Sequence, residues 1–248
     1  MNLDARAGRI NLTALVGRVF IGSRIGAVLI QARKGSGLEA SITEVTFTYR
    51  GEQVTYGIVQ SETGRYWMDR NLGASRVATA FNDSQAYGDL FQWGRLDDGH
   101  QDRASATTET LSDTDNPGHG DFILPDPDGV GDWRDPQNNN LWQSGLNVPA
   151  SDADYGVWRL PTSSELDAER QEWETNNRAG AYGSALKLPS GGFRSVTGSL
   201  FNVGSGSYIY SSTPFSTAAY MLAFSQNDAS ISFVERAAGA SVRLILDE

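Results

Sequence analysis

Residues 188–248, LPSGGFRSVTGSLFNVGSGSYIYSSTPFSTAAYMLAFSQNDASISFVERAAGASVRLILDE, decide how the whole chain is read. They resolve into short strand-like runs separated by glycine-bearing turns. Within them, residues 219–225 (AYMLAFS) alternate. On a strand, Tyr220, Leu222 and Phe224 share one face and Met221, Ala223 and Ser225 the other. The first face is bulky and apolar, so it is expected in the core. The second mixes a thioether, a methyl and a hydroxyl, and is expected to point outward. Such a face suits a binding surface of adjustable composition, although an ordinary solvent-facing strand has the same pattern.

Working outward, WRLPTSSELDAERQEWETN at 158–176 carries a helix start, with Thr162 and Glu165 spaced as a capping box. A helix is expected from about Ser163 to Asn176, with Leu166 and Trp173 on its buried face. Residues 95–155 are rich in Asp, Asn, Gly and Pro. A stretch this long without regular structure is usually a linker. Here Phe122, Ile123, Trp133, Leu141 and Trp142 can pin it to the domain, so a long folded loop region is expected. Before it, Asp83 as N-cap with Tyr87, Leu90, Phe91 and Gly94 at three- and four-residue spacing predicts another helix. In ITEVTFTYRGEQVTYGIVQ (42–60) two alternating runs flank Arg50-Gly51-Glu52, which predicts a β-hairpin. Trp67 and Met68 are expected in the core. Residues 1–40 contain strand-like runs (RINLTAL, GRVFIG, AVLIQAR) and no polar constellation. They are read as a separate N-terminal β segment that packs on the domain, on another copy, or on an attachment partner.

Composition narrows the function. Of 248 residues, only 20 are Lys or Arg and the net charge is −10, so no basic stripe is available for phosphates and no nucleic-acid partner is expected. The chain has no cysteine, which excludes disulfides, thiolate metal sites and a cysteine nucleophile. The most apolar run, LTALVGRVFIGSRIGAVLI, is broken by Arg18 and Arg24, so no membrane insertion is expected. Asp4 precedes that run and no small-residue cleavage site is well placed, so no signal peptide is read.

Catalytic motifs are sparse. His100 and His119 sit in Gly/Asp-rich loops without metal-ligand spacing, and are expected to make local hydrogen bonds. There is no G-x-S-x-G elbow and no phosphate-binding glycine loop before a helix. The Asp-rich piece DPDGVGD (126–132) could wrap a structural Ca²⁺, but it lacks the EF-hand pattern, and plain Asx turns are the favoured reading. The chain is therefore expected to be non-enzymatic and to need no cofactor.

Five motifs occur in order: YWMDRNLGAS, YGDLFQWGRLDDGHQ, DWRDPQNNNLWQ, WRLPTSSELDAE and GGFRS…ASVRLI. Together, over about residues 41–248, they resemble the C-type-lectin-fold variable proteins diversified by retroelements. They also resemble the related Fibrobacter succinogenes major paralogous domain. The resemblance implies an α+β, C-type lectin fold with two helices, a long loop region and an antiparallel β-sheet. It also implies a ligand-binding protein with a variable region at about 200–246, altered by adenine-directed mutagenesis on a constant backbone. The framework positions would be Gly204, Tyr208, Ser211, Ser212, Tyr220, Leu222, Phe224, Arg236, Gly239, Ser241, Val242 and Arg243. The interchangeable, ligand-binding positions would be Ser207, Ile209, Tyr210, Phe215, Ala218, Met221, Ala223, Ser225, Phe233, Glu235 and Ala238. Aromatics at Tyr210, Phe215 and Phe233 would serve as anchors. The implied partner is a protein or cell-surface receptor, met from a phage tail on the virion. Display on a bacterial cell surface and a fixed-partner structural adhesin are the alternatives. Relatives on phage tails form trimers, so a homotrimer through residues 1–40 is implied. Formylglycine-generating enzymes share the broader fold but depend on cysteines, which excludes that activity here. The Glu-Pro-Asn and Trp-Asn-Asp sugar motifs of Ca²⁺-dependent lectins are absent too.

Overall fold

The structure is a computed structural model that describes residues 28–32, 38–129 and 131–247, with backbone alone at 28–32 and 38–41. The runs RINLTAL and GRVFIG lie outside the described residues. The described residues open with an antiparallel pair, β1 (Val28–Ala32) and β2 (Leu38–Ile42). β2 runs through residue 40, so the expected division between segments falls inside a strand.

β3 (Glu44–Tyr49) and β4 (Glu52–Gln60) form the expected hairpin, with Tyr49 opposite Glu52. Its two-residue turn places Arg50 at φ 51° and Gly51 at φ 78°. That geometry matches the right-handed twist of the paired strands. β5 (Tyr66–Met68) continues the sheet and buries Trp67 and Met68 completely.

The expected helix after Asp83 is corrected to a single 3₁₀ turn over Ser84–Ala86, capped by the Asp83 carboxylate on the Gln85 amide. Gly88 follows at φ 69°, and a side chain there would stand 2.4 Å from the Leu72 carbonyl oxygen. The chain therefore leaves the helical path, and Phe91–Gln92 becomes β6. β6 pairs with β15 (Gly239–Ala240), a partner some 150 residues away that no local spacing could reveal.

The loop region is folded, as expected. Among its described residues it contains only β7 (Thr107–Thr108), β8 (Phe122–Ile123) and a 3₁₀ turn at Trp142–Ser144 as regular structure. Its Phe122, Ile123, Trp133, Leu141 and Trp142 are all at most 2% exposed. Indole donors fix it in place: Trp133 Nε1 donates to the Trp93 carbonyl (2.7 Å) and Trp93 Nε1 to the Ser211 carbonyl (2.9 Å). His100 is wholly buried here. Its Nε2 accepts from the Gln92 amide at 3.0 Å, and Nδ1 lies 2.6 Å from Asp98, so the neutral ring is satisfied at both nitrogens. Burial pushes its pKa down to about 4 from 6.5. The stability this gives is complete above pH 6.5 and is lost as pH falls through about 4. We expect His100→Gln to shrink the stability difference between pH 7 and pH 4 by an amount on the order of 3 kcal/mol. Urea melts at the two pH values check this, and an unchanged difference would refute it.

β9 (Trp158–Arg159) leads into α1 (Ser163–Gln171), whose Thr162–Glu165 capping box is fully formed. α1 ends sooner than the expected Asn176, and a short helix, α2 (Arg178–Gly183), starts from an Asn177 cap. The remaining strands are β10 (Phe193–Arg194), β11 (Leu200–Phe201), β12 (Ser207–Phe215), β13 (Ala218–Phe224), β14 (Ala229–Glu235) and β16 (Ile245–Leu246).

The architecture is α+β, mostly β-sheet, with two α-helices among the described residues. A five-stranded sheet runs β3-β4-β5-β16-β9 and a four-stranded sheet runs β11-β10-β15-β6. A three-stranded antiparallel sheet, β12-β13-β14, carries most of the residues singled out from the sequence. Among the described residues no helix is long and apolar enough to cross a membrane.

Candidate ligand-binding surface

The β12–β14 sheet has apolar material on both faces. β13 is central: Leu222 pairs with Ile209 and Ile231, and Met221 with Tyr210 and Ser232. The Leu222 face carries Ile209, Phe224 and Ala229, which pack with Trp67, Leu166, Trp173, Leu186 and Leu188 beneath α1. The Met221 face carries Tyr210 and Ala219, which pack with Trp93, just after β6, and with Trp133 and Trp142 from the loop region.

This double cover corrects the outward reading of residues 219–225. Ser207, Ile209, Tyr210, Ala218, Met221 and Ala238 are all at most 9% exposed. Met221 lies inside the tryptophan cluster because the loop region folds over the face expected to meet solvent. Ala223 is half-buried against the same cluster. Tyr210 is an internal strut rather than an anchor. Its hydroxyl donates to the Glu235 and Ala238 carbonyls at 3.1 and 3.0 Å, and its ring meets Trp142 edge-on at 5.9 Å. Burial holds that hydroxyl well above the usual tyrosine pKa.

Phe215, Ser225, Phe233 and Glu235 are exposed. Three of these four meet at one end of the sheet. Phe215 pairs with Ala218 and Ala218 with Glu235, while two rows along, on the same face, Tyr220 pairs with Phe233. The Phe215 ring lies 4.9 Å from Tyr220 and 4.6 Å from Phe233. α1 covers the same face further along, leaving this aromatic trio open, with Phe233 55% and Phe215 38% exposed. Tyr220, read from the sequence as core, is the half-exposed third member. Its inward alternation holds, but the helix that would bury it does not reach that far.

Ser225 belongs instead to the turn at the other end of β13, roughly 20 Å away at the rise of an extended strand. Ala223 pairs with Tyr208, whose ring meets Phe193 at 4.5 Å. Phe193 in turn stacks on Phe201 at 5.7 Å. With exposed Leu200 and Val203 this makes a second apolar patch. The single continuous surface expected from the sequence is thus corrected to two separate patches. Leu200, Phe201 and Val203 were missed because adjacent apolar residues in SLFNV show no period.

The trio is held by a buried ion pair. Arg236, 1% exposed, donates from Nε to the Ala218 carbonyl (3.0 Å) and from Nη2 to the Ser216 carbonyl (3.0 Å) and Asn139 Oδ1 (2.7 Å). Asp132 lies 3.5 Å from Nη1, and burial raises its pKa to about 6 against the pull of Arg236. The guanidinium therefore ties the hairpin tip that bears Phe215 to the loop region. The Asp-rich piece forms an Asx turn, Asp126 Oδ1 accepting from the Asp128 amide at 3.0 Å. Among the described residues no group of three or more His, Asp or Glu side chains is placed to hold a metal ion.

The chain matches no protein-family profile, no curated protein and no solved structure.

Proposed function

We propose that this chain is a non-enzymatic binding protein with a C-type lectin fold, and that Phe215, Tyr220, Phe233 and Glu235 form its recognition surface. The observation that carries this is the open aromatic trio at one end of a sheet whose central strand positions Ala219, Met221, Leu222 and Phe224 are buried on both faces. Aromatic side chains supply large contact area at low entropy cost, and a fixed backbone keeps them preorganised. Of the positions the resemblance marks as interchangeable, Phe215, Ala223, Ser225, Phe233 and Glu235 are those the packing leaves free to differ. Retroelement diversification is accordingly proposed for these, and the buried six are assigned to the scaffold. The setting we assign is receptor recognition on a phage tail, with bacterial surface display as the second reading.

A displayed library randomised at Phe215, Phe233 and Glu235 tests the surface. Most members are expected to stay folded, with stabilities within about 1 kcal/mol of the parent. Selection on an arbitrary protein target is expected to yield specific binders. A library that is largely unfolded, or one that yields no binder, would refute the assignment. Diversification has its own test in the DNA: a near-copy of the segment encoding 200–246 should differ at adenines, with changes concentrated in codons 215, 223, 225, 233 and 235. Invariance at those codons would leave the fixed-partner adhesin instead.

A further inference from the structure

Four buried polar atoms without a protein hydrogen-bond partner belong to residues that meet around Gly191: Arg103 Nη2, Ser190 Oγ, Ser207 Oγ and Ser241 Oγ. Ser190, Ser207 and Ser241 are 0% exposed. Ser190 precedes Gly191 in the chain, and Ser207 bridges to Gly192. The Ser241 strand segment bonds both sides of Ile209, since the Tyr210 amide donates to the Ser241 carbonyl and the Ser241 amide to the Tyr208 carbonyl. Arg103 enters from the loop region, its Nε donating to the Gly88 carbonyl (2.7 Å) and its Nη1 to the Gly191 carbonyl (2.8 Å).

Two of these groups, Arg103 Nη2 and Ser241 Oγ, face the position a Gly191 side chain would take. A Cβ added there would stand 3.2 Å from Arg103 Nη2, 3.5 Å from Ser241 Oγ and 3.3 Å from the Tyr87 carbonyl oxygen. That carbonyl already accepts from Asn71 Nδ2 at 3.1 Å. Every unpartnered group in the set can donate a hydrogen bond. Among the described residues no carboxylate forms an ion pair with Arg103, and Asp89, whose charge favours the ionised guanidinium, is paired with Arg50. Buried charge and buried donors both call for a partner. A guanidinium with hydroxyls beside it calls for a negative one.

We infer that Arg103 Nη2 and Ser241 Oγ bind a small monovalent anion of the chloride type beside Gly191. The anion would join the loop region, the 190–192 turn and the C-terminal segment. This is a structural ion site, independent of the recognition surface.

Two measurements on the full chain decide it. Thermal melts in sodium chloride and sodium bromide are compared with sodium gluconate at matched ionic strength. For a site half-filled near about 20 mM, raising chloride to about 200 mM should lift Tm saturably by roughly 3–6 °C. Gly191→Ala, which fills that position, and Ser241→Ala, which removes a donor, should both abolish that rise. Crystals grown in bromide should show an anomalous peak beside Arg103 Nη2. If Gly191→Ala fails to fold, Ser241→Ala and the bromide map still separate the two outcomes. Finding only an internal water at that position, or a salt response unchanged in Ser241→Ala, would overturn the inference.

Discussion

Arg236→Ala should cost about 3–5 kcal/mol. The guanidinium is 1% exposed, donates to the Ala218 and Ser216 carbonyls and to Asn139 Oδ1, and lies 4.5 Å above the Trp93 ring. Truncation leaves these acceptors unpaired and strands the Asp132 carboxyl in the interior. The size of the loss should depend on pH. Asp132 already titrates near 6 rather than 3.8, so its ionisation opposes folding progressively from about pH 4 to pH 6 and fully above. Without Arg236 that pKa climbs further, so the gap between variant and parent should be wider at pH 8 than at pH 5. Adding Asp132→Asn should recover part of the loss. Chemical denaturation of the three proteins at both pH values measures all of this; a pH-independent gap with no recovery would show that the pair is not what matters.

Tyr210→Ala should cost a similar 3–5 kcal/mol, as large aromatic truncations do. Its ring is fully buried against Trp142, and its hydroxyl serves two carbonyls near the end of β14. Phe233→Ala is the control. Phe233 is also aromatic and lies on the same sheet, yet it is 55% exposed, and losing its contacts with Phe215 and Tyr220 should cost less than about 1 kcal/mol. Met221→Ala should fall with Tyr210, at about 2–5 kcal/mol, because Met221 belongs to the tryptophan cluster. Equal melting points for the Met221 and Phe233 variants would contradict the two-faced packing.

What could be read from the sequence was what neighbours in the chain decide. The Thr162–Glu165 box and the Arg50–Gly51 turn are set by residues a few positions apart, and both form as expected. Phe215 and Phe233, both exposed, were marked by the family resemblance alone; no alternation in SSTPFSTA singles Phe215 out. The missed features are long-range. Whether Met221 meets water is decided by Trp93 and Trp142, more than 70 residues earlier in the chain. The 83–94 stretch has helical spacing, but Gly88 sits against Leu72 and Phe91 is drawn into a ladder with Ala240. Alternation shows which side chains share a face. It does not show what another part of the chain lays over that face.

The position of β16 bears on how the protein is made. Ile245 pairs with Trp67 on one side and Arg159 on the other, so the main sheet is split until that residue arrives. On the ribosome, β3, β4 and β5 emerge long before their neighbour and must wait with an unfilled edge, a state prone to association with other nascent chains. Deleting Ile245 and Leu246 would remove the middle of the sheet rather than trim its margin. Recovery from denaturant should accordingly be slow, since closing a ring of contacts across nearly 180 residues precedes the reward of packing it.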